Sequence, residues 1–302
     1  MYNSAMELAN QENAIIRPAT EHDKSEIYRM IQSAIYSHVH VDWNLPVDWL
    51  GKPGFVVCES PALQTEPVLK ACFAAAADPL PAAWVRLAAI RKGQDPAALL
   101  EMMLAAILPY LRYLGVTELG WFPVRIWPES WLFNLGFEQV NQIATFIKND
   151  INVQDNRAVS IPNIDLQIRP AELADMPALA SLEENAFDPL WRHSANSLTL
   201  AYRQASSFDV AEIDGQIVGF QYSVDGQKKG SVHLVRITVA ADRQNQGVGS
   251  ALMNSVLTGY RRQDIQQVTL NTQIDNISSH RLYQRFGFHQ LQEELPVWSL
   301  RI

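Results

Sequence analysis

The sequence predicts an α/β (α+β) fold made of two tandem halves that share one order of strands and helices. Length is the first indication, because 302 residues correspond to two domains at about 100 to 200 residues per domain. The second is an internal repeat. The third is a strand, a glycine-containing loop and a helix start in direct succession at residues 235–252 of the second half.

Three short segments recur at nearly one offset of about 150 residues. The paired segments are Ile-Arg-Pro-Ala at 16–19 and 168–171, Val-Arg at 85–86 and 235–236, and Gly-Phe at 136–137 and 287–288. Chance similarity does not keep a constant spacing, so we infer a duplicated domain. We expect one domain at 1–150 and a second at 164–302, joined by a turn-rich linker at 149–165.

Composition argues against several classes of function. The net charge of −8 gives no basic surface of the kind that nucleic-acid binding needs. The two cysteines have no disulfide or Cys-x-x-Cys pattern. Residues 1–13 do not show the charged and apolar pattern typical of a leader, and no apolar run is long enough to predict a membrane span. We therefore expect a cytoplasmic protein without a membrane partner. The sequence does not distinguish a monomer from a homodimer.

Residues 235–252 carry the strongest ligand signal. Alternating β-branched residues at 235–239 favour a strand, and Gly247 and Gly249 stand where the following helix begins. Free N–H groups at a helix N-terminus attract an anion, and glycines let a diphosphate approach the backbone. The loop therefore predicts a diphosphate site, although a short glycine loop alone is equally typical of a plain strand-to-helix turn.

A second motif follows the expected strand at 268–272. Asn276, Ser279 and Tyr283 are spaced i, i+3 and i+7, which places them on one narrow face of a helix. Gly287 then stands where a helix C-terminus commonly needs a left-handed residue.

Together, the two motifs resemble the GNAT superfamily of N-acetyltransferases. The pattern is Gln244-x-x-Gly247-x-Gly249 followed by Asn276-x-x-Ser279-x-x-x-Tyr283-x-x-x-Gly287-Phe288. The resemblance covers 166–302, and within it 184–191 is similar to the start of the ribosomal-protein alanine N-acetyltransferase group. It implies two GNAT-like domains, each a mixed, mostly antiparallel central sheet flanked by helices. It also implies acetyl-CoA as cosubstrate, no metal, and direct transfer to an amine of a small molecule or peptide.

The resemblance also implies a role for each matching residue. Acetyl-CoA would lie between the strand ending at Val239 and the strand at 268–272, with the pantetheine arm on the backbone of Ile237 and Val239. Tyr283 would protonate the departing CoA thiolate, but its spacing also fits a partly buried core aromatic. The expected cofactor-binding residues are Ile237, Thr238, Val239, Gln244, Asn245, Gln246, Gly247, Val248, Gly249, Ser250, Asn276, Ser279 and Tyr283.

The general base is where this sequence departs from the pattern. The alanine acetyltransferase group has a glutamate at the position of Asn271, and an amide cannot accept a proton as a carboxylate does. His233 is the candidate substitute, with a packed or solvated strand histidine as the plainer interpretation. Five carboxylates would lie near the acceptor cleft and could attract a cationic amine, although solvated surface charge is their commoner role. They are Glu183, Glu184, Asp188, Glu293 and Glu294.

The first half has lost these features. Both loop glycines are absent at 95–99, where Asp95 and Pro96 are typical of a helix N-cap and first turn. Leu132 and Arg125 stand at the positions of Tyr283 and Asn276. We expect a structural or substrate-gating domain without acetyl-CoA. Its tryptophan-rich stretch at 121–131 favours core or interface packing over an aromatic rim around an acceptor.

Two further expectations remain. His38 and His40 lack a third ligand at matching spacing, so we expect surface histidines rather than a metal site. For function, the alternatives to acetyl transfer are a non-catalytic module that senses acetyl-CoA, a different acyl donor, or a peptide acceptor with an N-terminal alanine.

Overall fold

A computed structural model describes residues 14–41, 43–60, 68–123, 127–149, 151 and 166–302. Most of the expected linker and Arg125 lie outside these residues. The chain divides into two compact units, and the division differs from 1–150 and 164–302. The first unit runs to Val140 and includes Val297–Ile302, whereas the second covers Asn141–Pro296.

The first unit is a mixed sheet with helices packed on it. Its elements are β1 (Ile15–Pro18), α1 (Lys24–Ser33), β2 (Tyr36–Val39), β3 (Phe55–Glu59), β4 (Leu69–Ala77), β5 (Ala82–Ile90), α2 (Pro96–Tyr113), β6 (Glu118–Trp121) and α3 (Glu129–Leu132). The sheet order is β1-β3-β4-β5-β6, followed by the segment 297–302. All described pairs are antiparallel except β5 with β6.

Apolar residues of α2 and the tryptophan-rich stretch form the core of the first unit. Leu100, Met103 and Ile107 of α2 are fully buried against the sheet. Trp121 is buried at the centre, and Trp127 and Trp131 pack beside it. The expectation of core packing for this stretch is confirmed for its described residues, which exclude 124–126.

His38 corrects one expectation. It lies on β2 with only 4% of its surface exposed, so it is not a surface histidine. Its Nε2 is 3.0 Å from the carbonyl oxygen of Val85, and burial lowers its pKa to about 4. The cause is tertiary, because β2 pairs with β5 and turns this side chain into the core.

The second unit repeats this order of elements, except that a second helix, α5, follows its first long helix where the first unit has strand β2. After β7 (Glu138–Asn149), which enters it at Asn141, come β8 (Leu166–Pro170), α4 (Met176–Ala186), α5 (Ala195–Gln204), β9 (Ser207–Ile213), β10 (Gln216–Asp225), β11 (Ser231–Val239), α6 (Val248–Arg262), β12 (Gln267–Gln273), α7 (Ile277–Arg285) and β13 (His289–Arg301). The sheet order is β8-β9-β10-β11-β12, followed by the segment 141–149. Only β11 and β12 are parallel among the described pairs.

One turn of this unit follows directly from its local sequence. The turn between β9 and β10 has Asp214 at φ 52° and Gly215 at φ 74°, which is the backbone that an Asp-Gly hairpin favours. The last strand, β13, runs without a break from His289 to Arg301. Buried residues of α6, including Met253 and Val256, pack on Leu234 and Leu270 of the sheet.

Each unit carries the same ion-pair arrangement at its first strand. Arg17 binds Asp23 and Glu59, and Arg169 binds Asp175 and Glu212 in the same way. The shared Ile-Arg-Pro-Ala segment therefore serves one purpose in both units, which is to link the first strand to the first helical turn and to the neighbouring strand. This correspondence supports the inferred duplication.

Candidate functional site

A gap opens between β11 and β12 in the second unit. The two strands pair only over 231–234 and 267–270, although β11 continues to Val239 and β12 to Gln273. The β10–β11 ladder shifts register between Tyr222 and Ser223, which makes Val235 an extra residue in β11. Such a bulge bends a strand and increases its twist, so β11 diverges from β12 beyond this point.

A cavity of about 1130 Å³ occupies this gap. Eleven of the thirteen residues expected to bind the cofactor line it, and Gln246 and Val248 do not. The Gln246 side chain is exposed and donates to the carbonyl of Asp242 at 2.8 Å. Val248 is fully buried against Ala211 and Leu252, because the first residue of α6 turns its side chain toward the sheet.

The loop between β11 and α6 leaves backbone donors free at the cavity. Asn245 and Gly247 have left-handed backbone conformations, at φ 59° and 91°, and no side chain caps the helix. The first helical hydrogen bond runs from Ala251 to the carbonyl of Gly247. The N–H groups of residues 248–250 therefore have no acceptor within the helix.

Gly249 stands where a side chain would narrow the cavity. A Cβ at this position would lie 3.5 Å from Leu282 Cδ2 and 3.6 Å from Val239 Cγ2. These are ordinary contact distances, so the fold itself would accept an alanine. The glycine keeps the backbone accessible from the cavity side, as close approach of an anion requires.

The expected face of α7 forms another wall. Asn276 caps the helix, because its Oδ1 accepts from the backbone N–H of Ser279 at 3.2 Å. Tyr283 is only 6% exposed, and its ring packs near Phe146 and Phe288. It also lines the cavity, so the core interpretation and the cavity interpretation both apply. Burial raises the pKa of Tyr283, although Ser279 and Arg236 act in the opposite direction.

An ion pair that sequence reasoning missed stands on the opposite wall. Glu183 is one of the five carboxylates expected near the acceptor cleft, for most of which solvated surface charge was the commoner role, but it is fully buried at 0% exposure. Its Oε1 accepts from Arg236 Nε and its Oε2 from Arg236 Nη2, both at 2.8 Å. The backbone N–H and Nδ1 of His193 also bind Oε2, at 2.8 and 3.1 Å. Burial alone would raise the pKa of Glu183, but Arg236 and His193 outweigh it and hold that pKa at about 2.

A sequence signal for this pair did exist. Arg236 is the only charged residue in the strand 234–239, and Glu183 adjoins Leu179 and Leu182 on the apolar face of its helix. Charged residues at positions whose spacing is typical of the buried core normally form a pair.

His233, the candidate substitute for the missing glutamate, is not at the cavity. His233 lies in the paired part of β11 and outside the cavity lining, because the strands separate only after Leu234. Its Nδ1 is 2.9 Å from Thr269 Oγ1, and burial lowers its pKa. Asn271 does line the cavity and accepts from Thr145 Oγ1 at 3.0 Å. The carboxylates among the lining residues are Glu184, Asp188 and Asp275.

The first unit differs from the second at the N-terminus of the corresponding helix and at the edge of the corresponding strand. The Asp95 side chain accepts from the backbone N–H groups of Ala97 and Ala98, as its N-cap role predicts. The edge of β5 beyond β6 is also filled, since Leu87–Ile90 pair with β2. Counted from the bulge in each strand, these four residues correspond to 236–239, which is one residue away from the match of 85–86 with 235–236 in the sequence.

Neither a metal-binding cluster nor a membrane-spanning helix occurs among the described residues. They contain no cluster of three or more histidine, cysteine, aspartate or glutamate side chains suited to a metal ion. Among them, no helix combines the length and the apolar character needed to span a bilayer.

Comparisons with known proteins agree with this architecture. Residues 176–288 match the Acetyltransferase (GNAT) family. An uncharacterized N-acetyltransferase of Methanocaldococcus jannaschii is 27% identical over 124 residues, which are 40% of this chain and 76% of that protein.

Two solved structures share the fold along nearly the whole chain. A GCN5-related N-acetyltransferase from Kribbella flavida has a TM-score of 0.67 at 14% identity, over 95% of this chain and 70% of that one. A tandem GNAT protein from the clavulanic acid biosynthesis pathway, solved without AcCoA, has a TM-score of 0.54 at 13% identity, over 95% and 98%. The narrower resemblance of 184–191 to alanine acetyltransferases stays a prediction.

Proposed function

Because the chain contains an acetyltransferase domain of the GNAT family, we propose that its second unit transfers acetyl from acetyl-CoA to an amine. The observation that carries this proposal is the cavity at the β11–β12 gap, which joins an uncapped helix N-terminus to Tyr283. The first supplies a place for a diphosphate, and the second supplies a proton donor.

The diphosphate of acetyl-CoA would bind the start of α6. The N–H groups of residues 248–250 have no helical acceptor, and the helix dipole adds to their attraction for an anion. Arg281 and Arg285 also line the cavity, and their i, i+4 spacing puts both cations on one side of α7. They would offset the remaining phosphate charge of the coenzyme.

The pantetheine arm would lie along the free edge of β11. Past Leu234 this edge has no β12 partner, so Ile237 and Val239 could bond the amides of the arm as they would a neighbouring strand. The first unit shows that such an edge can be occupied in this way, because there β2 pairs with the corresponding residues of β5.

In the transfer, the neutral amine nitrogen attacks the acetyl carbonyl carbon, and the carbon–sulfur bond breaks as the new C–N bond forms. Tyr283 would protonate the departing thiolate; its raised pKa keeps the hydroxyl protonated at neutral pH. The amine gives its own proton to water or to a carboxylate of the lining, such as Glu184 or Asp188. His233 is not assigned this step, because it lies outside the cavity.

The test is acetyl-CoA titration by calorimetry together with release of free CoA in the presence of an amine panel. Tyr283→Phe should lower kcat by about 100-fold, because proton donation to the leaving group contributes about that much, while the Kd for acetyl-CoA changes by less than about twofold. Tyr202→Phe, in α5 and outside the cavity lining, is the control and should leave both unchanged. Unaltered turnover in Tyr283→Phe would exclude it as the acid.

A second candidate is a module that binds acetyl-CoA without turning it over. Asn271 favours this alternative, because its amide stands in the cavity where the similar alanine acetyltransferases have a carboxylate, and it bonds Thr145. Saturable acetyl-CoA binding with no CoA release from any amine or N-terminal alanine peptide would support it. Repeating the release assay with longer acyl-CoA thioesters distinguishes a different donor.

A further inference from the structure

Arg236 has hydrogen-bond donors left over after its contacts within the protein are counted. A guanidinium carries five N–H groups. Nε and one N–H of Nη2 bind Glu183, and the second N–H of Nη2 binds the carbonyl of Trp191. Within the described part of the chain, the two N–H groups of Nη1 have no hydrogen-bond acceptor.

Arg236 borders the cavity and is not fully enclosed by protein. The Arg236 side chain is 15% exposed while its partner Glu183 is 0% exposed, and Arg236 lines the cavity. Its guanidinium lies on the α4 side of the sheet, whereas Ile237 and Val239 pack with Val248 and Leu252 of α6. Arg236 therefore stands on the face opposite the proposed diphosphate loop, where space remains for the second substrate.

Two other arginines of this chain each bind two carboxylates. Arg17 lies between two carboxylates, Asp23 and Glu59, and Arg169 lies between Asp175 and Glu212. Among the described residues, Arg236 binds a single carboxylate, that of Glu183. The guanidinium is also held rigidly, since it stacks 4.0 Å over the ring of Phe187 and its partner Glu183 is fixed by His193.

We propose that Nη1 of Arg236 binds a carboxylate of the acceptor, so that the acceptor is an amino acid or another amine that bears a carboxylate near the reacting nitrogen. This inference rests on the proposed acetyl transfer. A charged, preoriented donor pair favours an anionic oxygen over a neutral one, and it repels an acceptor whose nearest group is a second cation. Arg236 is then a specificity-determining residue on the acceptor side.

The first test uses the unaltered protein and pairs of acceptors. Each pair is an amino acid and its amide, compared by kcat/KM for CoA release after correction for the fraction of neutral amine at the assay pH. We expect the carboxylate form to be favoured by about 10-fold to 100-fold, as charged hydrogen bonds at a substrate site usually give.

The second test removes the guanidinium without leaving a buried charge. Glu183→Gln combined with Arg236→Gln keeps polar groups at both positions, and the preference for the carboxylate should fall to within about twofold while the Kd for acetyl-CoA stays unchanged. Arg236→Lys, which keeps a positive charge, should retain part of the preference and guards against loss of folding in the double variant. Arg203→Gln, in the last turn of α5, is the control and should leave the preference intact.

The outcomes distinguish the carboxylate site from the proposed acetyl transfer on which it rests. Equal turnover of acids and amides, or preference for the amides, overturns the carboxylate site while acetyl transfer stands. A preference that survives in the double variant overturns the assignment to Arg236. Acetyl-CoA binding without CoA release from any amine overturns both proposals.

Discussion

Glu183 and Arg236 are the residues whose contacts matter most beyond the expected motifs. Each is a charge taken out of water, which is tolerated only because each satisfies the other. Glu183 accepts four hydrogen bonds, two from Arg236 and two from His193. The carboxylate is therefore a structural anion that positions the guanidinium, and it is not available as a general base.

Glu183→Gln should destabilise the protein by about 3 kcal/mol, because it leaves Arg236 buried without its counter-charge. Chemical unfolding of the full chain measures this, and Glu184→Gln, at the exposed neighbouring position, should change stability by less than about 0.5 kcal/mol. A loss as small as that for Glu183→Gln would mean that the pair contributes little.

The same carboxylate predicts a pH dependence. The pKa of Glu183 is held at about 2, below its ordinary value of 4.5, so its stabilising contribution is fully present above about pH 4.5. It is lost as the pH falls through 2. Glu183→Gln should therefore unfold with a weaker pH dependence between these limits than the unaltered protein.

At the scale of elements, α2 and α6 are corresponding helices of the two units that differ in whether a side chain caps the N-terminus. Asp95 closes the first turn of α2 with its own carboxylate, whereas α6 begins at Gly247 without a side-chain cap. An N-terminus that binds its own acidic side chain stabilises the helix. One left open keeps its donors for a ligand, at the cost of that stabilisation.

Two alanine substitutions in α6 separate these effects. Gly249→Ala should raise the Kd for acetyl-CoA by about tenfold or more, because its Cβ stands at the proposed diphosphate contact, without loss of stability. Gly259→Ala in the same helix has nothing within 4 Å of its Cβ and should stabilise the protein by about 0.5 to 1 kcal/mol. Calorimetry and thermal unfolding give both quantities. An unchanged Kd in Gly249→Ala would contradict the loop assignment.

At the scale of the whole molecule, the two units have diverged in what occupies one strand edge. In the first unit β2 pairs with Leu87–Ile90, and in the second unit the corresponding part of β11 borders the cavity. The chain is thus expected to hold one coenzyme, because the first unit has lost both the free edge and the open helix N-terminus.

Calorimetric titration of the full chain should give one equivalent of acetyl-CoA. Asp95→Gly should leave that stoichiometry unchanged, because freeing the donors of α2 does not displace β2 from the edge of β5. Two equivalents in the unaltered protein would overturn the view of the first unit as a structural or gating domain.

The features that the sequence determined by itself depend on residues close together in the chain. The glycine loop before α6, the Asp95 cap and the common face of Asn276, Ser279 and Tyr283 all occur as predicted. The Asp214-Gly215 turn is equally local. Backbone preference, capping and helical spacing are local, so a single sequence expresses them. The repeat was readable for a similar reason, because it compares the chain with itself.

Only the tertiary structure decided which distant residues meet. Glu183 and Arg236 are 53 positions apart, β2 enters the edge of β5, and the segments 141–149 and 297–302 pair with β12 and β6. His233 stayed outside the cavity because β11 and β12 separate one residue beyond it. Such pairings follow from the relative free energies of alternative sheet arrangements, which depend on long-range packing that local periodicity does not encode.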